Sequence, residues 1–191
     1  MYLFFDTETT GLPRNYKAPI TDLNNWPRMV QLAWLEYDFE GGLIQQRDYI
    51  IKPEGFTIPL DAARVHGIHT ERALAEGQAL ADVLAEFAQA IGRANCLVAH
   101  NISFDEKIIG AEFLRSKMDN YLQGKSKKCT MEIGTFVCKI PSPYGGYKWP
   151  RLSELHRKLF KTDFTEMHNA VADIGATAKC FWEMRRIGII Q

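Results

Sequence analysis

Asp6 and Glu8 stand two residues apart near the start of the chain, directly after the apolar residues 2–5. A continuous apolar run of this kind is typical of a strand that is buried on both faces of a sheet. Because side chains alternate along a strand, a spacing of two places both carboxylates on the same face. Neighbouring acids that lose their hydration repel each other unless a cation neutralises them. The pair therefore indicates a divalent metal site, while two solvent-exposed acids at a strand end are the simpler alternative.

Two further acids could complete such a site. Asp105 follows a predicted strand over residues 96–100, and Asp173 lies within a predicted C-terminal helix. Mg²⁺ and Mn²⁺ prefer oxygen ligands, and the sequence offers no cluster of Cys and His that would favour zinc. His168 precedes Asp173 by five residues, near the start of that helix, so its imidazole could lie beside the acids. An ordinary helix-cap histidine is the alternative interpretation of His168.

The elements that must position these side chains are strands followed by alternating helices and strands. Residues 29–38 and 43–51 are predicted to form an antiparallel hairpin, and residues 128–131 a last strand. The predicted helices span residues 80–91, 152–159 and 169–186. Another helix is predicted to begin with Ser103 as its N-cap. This order predicts an α/β domain with a mixed sheet, and residues 13–27 form an exposed loop or a small excursion near the carboxyl end of the first strand.

Length and composition are those of an ordinary globular domain. The 191 residues correspond to one domain, so residues 1–191 are predicted to form a single unit. With 46% hydrophobic and 24% charged residues, the composition excludes a disordered, collagen-like or coiled-coil chain. Lys plus Arg and Asp plus Glu each number 23, which gives a formal net charge of zero. A nucleic acid would therefore have to be attracted by a local patch or by metal ions.

Cysteine usage and hydropathy indicate the compartment. The four cysteines lie too far apart in the sequence for a C-x-x-C pair, so free thiols in a reducing compartment are expected. No apolar run approaches the ~20 residues of a membrane span, and no basic leader precedes the first predicted strand. We therefore expect a cytoplasmic protein with no membrane partner.

Three motifs occur in a fixed order over most of the chain. D-x-E-T-T-G-L begins at Asp6, H-N-x-x-F-D begins at His100, and H-x-A-x-x-D begins at His168. Together they resemble the DEDDh 3′–5′ exonucleases, above all the proofreading epsilon subunit of the bacterial replicative DNA polymerase III and its free-standing relatives. V-H-G-I at residues 65–68 is also similar to a segment of that family. The resemblance implies a ribonuclease H-like fold, with a mixed five-stranded sheet flanked by helices.

The resemblance also implies an activity and the roles of the acids. Two divalent cations, Mg²⁺ or Mn²⁺, would be bridged by Asp6. Glu8 and Asp173 would hold the ion that carries the nucleophilic water, Asp105 would hold the second ion, and His168 would be the general base. The expected reaction is the hydrolysis of single-stranded or frayed DNA from its 3′ end to nucleoside 5′-monophosphates, as in DNA repair or proofreading. A DNA polymerase subunit is a candidate partner.

Matching motif positions further imply contacts to the terminal nucleotide. The implied substrate-binding residues are Thr7, Thr9, Leu12, Asp61, His66, Asn101 and Phe104. Leu12 and Phe104 would stack on bases, although Phe104 could equally belong to the core and Asp61 to a solvated helix start. The loop over residues 144–151 mixes aromatic residues with two cations and could follow a single strand, but we favour packing for its aromatic side chains.

Three other functions compete with this interpretation. An exoribonuclease of the same superfamily, which trims RNA or degrades oligoribonucleotides, would share the chemistry, because one side chain can read the 2′-OH. An aspartyl-phosphate phosphohydrolase would need a second Asp at the position of Glu8. A non-catalytic module that docks on a polymerase or on nucleic acid would not need the four acids and His168.

Overall fold

The computed structural model describes residues 1–163 and 170–191 and contains one five-stranded sheet. Its strands are β1 (Tyr2–Thr9), β2 (Met29–Tyr37), β3 (Leu43–Ile50), β4 (Cys96–Ala99) and β5 (Ser126–Cys129). The order across the sheet is β3-β2-β1-β4-β5. β1 pairs antiparallel with β2 and parallel with β4, and β2–β3 is the predicted antiparallel hairpin. The prediction of a mixed five-stranded sheet with a central first strand is therefore confirmed.

Helices flank this sheet. Over the described residues they are α1 (Leu60–His66), α2 (Thr70–Glu76), α3 (Leu80–Arg93), α4 (Ile102–Arg115), α5 (Thr130–Cys138), α6 (Leu152–Phe160) and α7 (Ala170–Arg186). The sequence predicted α3, α4, α6 and α7 but not α1, α2 and α5, which have only seven to nine residues. Helices this short span only about two turns, so sequence periodicity detects them less readily than longer helices. None of the described helices combines the length and the apolar character that a membrane span requires.

The central strand β1 is buried on both of its faces. Leu3 and Phe5 pack into one core with α3 and α4, whereas Tyr2 and Phe4 pack into a second core with α6 and α7. Phe4 and Phe5 are 0% and 1% exposed. Full burial of such a side chain stabilises the fold by roughly 1.5–3 kcal/mol. The acids that follow these residues are therefore carried by a strand whose first four residues are buried.

The turn between β4 and α4 differs from the prediction. Asn101, rather than Ser103, is the N-cap of α4, and its backbone is left-handed, with φ 71° and ψ 47°. Asn adopts this conformation more readily than most residues. Ser103 lies within the first turn of the helix instead. The result is a short connection that brings the start of α4, with Asp105, next to the end of β1.

The segment between β1 and β2 is held against the protein rather than extended into solvent. The guanidinium of Arg115 on α4 donates hydrogen bonds to the carbonyl oxygens of Leu23 and Trp26, both at 2.6 Å. Trp26 is 3% exposed and belongs to the core that includes α3 and α4. Of the two predicted alternatives for residues 13–27, the structure therefore favours a small excursion over an exposed loop, because long-range hydrogen bonds and a buried tryptophan hold residues 23–26 in place.

Candidate active site

Carboxylates from two elements converge at the carboxyl end of β1. Ligand oxygens of Asp6 and Glu8 on β1 and of Asp173 on α7 all lie within 4.8 Å of one another. The spacing of two residues places the first pair on one face of the strand, as the sequence indicated. α7 packs against β1 through its apolar side, with Ile174 and Phe181 in the same core as Phe4. An all-oxygen donor set of this kind suits Mg²⁺ or Mn²⁺.

Asp105 joins these acids from the first turn of α4. It is 3% exposed and accepts two hydrogen bonds from Thr7, one from the backbone N–H at 3.0 Å and one from the hydroxyl at 2.7 Å. Burial raises the pKa of Asp105 to about 7, although the two bonds from Thr7 act in the opposite direction. Thr7, which the motif places near the substrate, thus also fixes the carboxylate of Asp105 against β1.

The acids interact unfavourably when all of them are ionised. Burial raises the pKa of Asp6 well above its usual value, and the charges of Asp105, Glu8 and Asp173 raise it further. Burial, followed by the charges of Asp173 and Asp105, raises the pKa of Glu8 to about 7. A divalent cation would relieve both causes, because it replaces lost hydration and cancels the mutual repulsion. The cluster therefore fits a metal site on its electrostatics as well as on its donor atoms.

A pocket of about 450 Å³ opens over this cluster. All four predicted acids line it, together with Thr7, Asn101 and Phe104 from the predicted substrate contacts. Phe104 is only partly buried and also packs on the core, so both of its predicted roles are compatible with its position. Small-ligand sites usually measure ~300–1,000 Å³. The pocket is thus of a suitable size for one nucleotide.

Four predicted substrate contacts do not line this pocket. Leu12 is 73% exposed beyond the end of β1. The hydroxyl of Thr9 donates a hydrogen bond to the carbonyl oxygen of Gly11 at 2.6 Å. The side chain of Asp61 is 94% exposed and pairs with Arg64 at 3.0 Å, which matches the alternative of a solvated helix start.

His66, the fourth of these residues, is buried at the end of α1. Its Nδ1 accepts a hydrogen bond from the backbone N–H of Ile68 at 3.2 Å. Burial lowers the pKa of His66, while the nearby backbone of Thr9 partly opposes this shift. The V-H-G-I segment therefore lies beside the end of β1 without reaching the pocket.

His168, the predicted general base, lies outside the described residues. Its role stays a prediction that rests on the H-x-A-x-x-D motif. The structure does describe Asp173, the last residue of the same motif, and places it among the acids.

The structure adds a histidine that sequence reasoning did not assign. His100 at the end of β4 lines the pocket, and burial lowers its pKa to about 4, so the ring is neutral at pH 7. Its Nε2 lies 3.1 Å from the carbonyl oxygen of Pro150, which can only accept, so Nε2 carries the proton. Nδ1 then accepts from the hydroxyl of Thr130 at 3.0 Å. His100 thereby fixes the start of α5 and the segment before α6 around the pocket.

The aromatic residues of the loop over residues 144–151 were also misjudged from the sequence. Trp149, Pro150 and Arg151 line the pocket, and Trp149 is 64% exposed. Tyr144 in the same loop is 97% exposed. The prediction that these aromatic side chains are packed is therefore wrong, because the loop projects beside the pocket instead of folding into a core.

The raised pKa values predict a pH-dependent stability of the metal-free protein. Folding raises the pKa of Glu8 from its ordinary value of 4.5, and the pKa of Asp105 from 3.8, to about 7. The folded state therefore binds these two protons more tightly than the unfolded state. The stability that this tighter proton binding gives the folded state is fully present below about pH 4 and is lost as the pH rises to about 7. We expect the melting temperature in EDTA to fall by several degrees over this range, since 1 kcal/mol corresponds to roughly 2–4 °C for a chain of this size.

Scanning calorimetry between pH 4 and pH 8 at constant ionic strength measures this effect. Adding Mn²⁺ should raise the melting temperature more at pH 8 than at pH 5, because protons then compete less for the carboxylates. A Mn²⁺-induced increase that is the same at both pH values would contradict the assignment of these acids to a metal site.

Comparison with known proteins identifies the family. The model of the RNase_T family, described as exonuclease, matches residues 3–181. The chain is 30% identical over 186 residues to the DNA polymerase III PolC-type of Bacillus subtilis and 27% identical over 198 residues to that of Staphylococcus aureus. These matches cover 96% and 100% of this chain but only 11% and 12% of the polymerases.

Solved structures show the same fold. Escherichia coli exonuclease I in complex with a dT13 oligonucleotide matches this chain with a TM-score of 0.74 and 21% sequence identity. The match covers 97% of this chain and 42% of the exonuclease I chain. The zinc-bound form of its complex with single-stranded DNA has a TM-score of 0.76 and 21% identity over 98% of this chain and 41% of its own. The ribonuclease H-like α/β fold is therefore confirmed, and the chain belongs to the RNase_T exonuclease family, as the predicted resemblance to DEDD-type 3′–5′ exonucleases implied.

Proposed function

We propose that this chain removes nucleoside 5′-monophosphates one at a time from the 3′ end of single-stranded or frayed DNA, with two divalent cations, Mg²⁺ or Mn²⁺. The observation that carries the proposal is the convergence of four acids on one pocket of nucleotide size. Family membership implies divalent metal ions, and the oxygen-only donor set is compatible with them. The neighbours crystallised with single-stranded DNA and the relatives named as DNA polymerases favour a DNA substrate.

The four acids divide the work of holding the cations. Asp6 would be shared between two ions, since the charges of all three other acids act on it. Glu8 and Asp173 would hold the ion on the side of the attacking water, and Asp105 would hold the other. Bound divalent ions supply positive charge that activates a water and stabilises the leaving oxygen of a phosphodiester. Thr7 keeps Asp105 in position through its two hydrogen bonds.

The remaining roles concern the proton and the substrate. His168 would accept the proton of the attacking water, and the ordinary histidine pKa near 6.5 suits this task at neutral pH. Asn101 and Phe104 would contact the terminal nucleotide from the pocket wall. Thr9, Leu12, Asp61 and His66 are the other predicted substrate contacts, and none of them lines the pocket.

The wider setting is also a proposal. Residues 1–191 would act as one exonuclease domain, which agrees with a single sheet and a family match over residues 3–181. The four cysteines are free thiols, as is usual in the cytoplasm. A DNA polymerase subunit is the proposed protein partner, and co-purification of the two chains would test it.

A turnover assay tests the proposed reaction. Single-stranded DNA and RNA of equal sequence, both labelled at the 5′ end, are incubated with the protein in Mg²⁺, in Mn²⁺ and in EDTA. We expect a ladder that shortens from the 3′ end of DNA in either metal and no ladder in EDTA. Faster shortening of RNA would replace the DNA assignment with an exoribonuclease. No ladder on either polymer would overturn the catalytic proposal in favour of a docking module.

A further inference from the structure

A short hairpin stands beside the acidic pocket. It spans residues 139–151, between α5 and α6, and its backbone is hydrogen-bonded across from the N–H of Lys148 to the carbonyl oxygen of Ile140 at 2.9 Å. Its tip closes through the N–H of Ser142 and the carbonyl oxygen of Gly146 at 3.0 Å. Gly145 and Gly146 take φ values of 90° and 68°, which favour glycine. The side chains of this segment, called here the aromatic hairpin, are therefore carried on a folded turn.

The aromatic hairpin exposes three large rings in six residues. Tyr144, Tyr147 and Trp149 are 97%, 47% and 64% exposed. Single exposed apolar residues are ordinary on protein surfaces, but adjacent exposed aromatic rings mark a site of interaction. Trp149 lines the pocket that holds the acids, and Tyr144 lies at the tip of the hairpin. The rings therefore lead outward from the proposed site of cleavage.

The charges of the aromatic hairpin differ from those of the whole chain. Residues 139–151 contain Lys139, Lys148 and Arg151 and no Asp or Glu, whereas the chain as a whole has no net charge. Lys148 pairs with Glu154 at 2.7 Å, and Arg151 lines the pocket beside the acids. A cationic, aromatic surface is what single-stranded nucleic acids bind, through their phosphates and their bases.

We propose that the aromatic hairpin is the path of the single strand upstream of the terminal nucleotide. The inference rests on the proposed function and extends it beyond the pocket. Trp149 stacks on a base next to the pocket, Arg151 contacts a phosphate, and Tyr147 and Tyr144 extend the same surface outward. Stacking on an aromatic ring accepts any base, so this path adds affinity without sequence preference. Continuity with the pocket and the absence of Asp and Glu from residues 139–151 favour a nucleic acid over a protein as the occupant.

The experiment compares wild type, Trp149→Ala and Trp149→Phe on substrates of different length. Trp149→Ala should raise the KM for a dT12 oligonucleotide by roughly 5- to 150-fold, the equivalent of ~1–3 kcal/mol for one stacked base. A further variant, Tyr144→Ala, lies at the tip of the aromatic hairpin and outside the pocket. It should also raise the KM for dT12 but leave the rate of hydrolysis of the p-nitrophenyl ester of thymidine 5′-monophosphate within about twofold of wild type, because that substrate has no upstream nucleotide. Trp149→Phe retains a ring and should restore most of the affinity for dT12.

A matched control removes an exposed ring elsewhere. Phe39 is 47% exposed in the turn between β2 and β3, at the opposite end of β1 from the acids, since Tyr2 pairs with Tyr37 there. Phe39→Ala should not change the KM for either substrate. Circular dichroism of each variant checks that it is folded.

Equilibrium binding separates failure of this inference from failure of the proposed function. Fluorescence anisotropy is measured with a 5′-labelled phosphorothioate dT12, and Trp149→Ala should weaken its binding by the same factor. If wild type binds this probe more tightly than Trp149→Ala does but cleaves neither substrate, the proposed strand path stands and the proposed exonuclease activity is overturned. Equal binding by wild type and Trp149→Ala would overturn the strand path. An equal loss of activity on dT12 and on the ester in Tyr144→Ala would also overturn it.

Discussion

Replacing Asp6 by Asn is expected to reduce turnover by roughly 10²- to 10³-fold, the loss seen when one main electrostatic stabiliser of a transition state is removed. Asn has nearly the same shape as Asp but only one oxygen and no charge. Asp6 lies among three other acids, and its ligand oxygen is within 4.8 Å of those of Glu8 and Asp173. Its replacement therefore weakens the binding of every cation that the cluster would hold. The turnover assay described above, together with calorimetric titration of Mn²⁺, measures both consequences.

The same substitution should stabilise the metal-free protein. Burial and three neighbouring charges raise the pKa of Asp6, so its ionised form is unfavourable in the folded state. A neutral Asn removes this cost, and the melting temperature in EDTA at pH 8 should rise by several degrees. A variant that is inactive yet more stable than wild type cannot owe its inactivity to unfolding. Asp82→Asn, on the exposed first turn of α3, is the matched control and should change neither quantity.

Unchanged Mn²⁺ affinity in Asp6→Asn would contradict the shared role of this carboxylate, even if turnover were lost. Retained turnover would contradict the catalytic assignment of the whole cluster. Lower thermal stability in EDTA would show that Asp6 is held by favourable interactions, which would contradict the repulsion inferred from its surroundings.

The parts of the site that sequence could predict are those set by local periodicity. Residues 2–5 are apolar without interruption, so β1 had to be buried on both faces, and the spacing of Asp6 and Glu8 then determined their common face. The hairpin of β2 and β3 followed from two strand patterns joined by a Gly-containing turn. Asp105 and Asp173 were assigned because Asp105 follows a strand pattern, Asp173 lies within a helix pattern, and each completes a motif.

Contacts between distant residues could not be predicted in this way. Thr7 and Asp105 are 98 residues apart in the sequence, and no periodicity indicates that a threonine next to the acids would hold one of them. The sequence around Trp149 is equally compatible with a buried and with an exposed ring, because its exposure depends on which elements of the fold surround it. Asn101, and not Ser103, is the N-cap of α4 because the turn after β4 needs a residue with a left-handed backbone. The general preference of Ser for N-cap positions does not take the conformation of that turn into account.

The buried acid Glu112 is the most informative of these long-range contacts. It lies on α4, two turns after Asp105, and is 0% exposed. Its Oε1 accepts hydrogen bonds from Nε of Arg28 and from the backbone N–H of Met29, both at 2.9 Å. Arg115, whose side chain is 15% exposed, pairs with the same oxygen at 3.0 Å. Glu112 thus joins the helix of Asp105 to the start of β2 and to the segment that precedes it.

Glu112→Ala is therefore expected to lower the free energy of unfolding by ~3–5 kcal/mol, the cost of removing one partner of a buried ion pair. The guanidinium of Arg115 and the N–H of Met29 would lose their carboxylate while they remain shielded from water. For a chain of this size the melting temperature should fall by roughly 10 °C.

The exposed pair of Arg72 and Glu76 on α2 provides the matched control for Glu112→Ala. Its side chains are 51% and 56% exposed, so Glu76→Ala should cost less than ~1 kcal/mol. Urea unfolding of both variants measures the difference between a buried and a solvated carboxylate in one protein. Equal losses in the two variants would mean that Glu112 does not hold the segment before β2. That segment follows directly from the strand of Asp6 and Glu8, so the position of this strand would then depend on the packing of Trp26 and not on the carboxylate of Glu112.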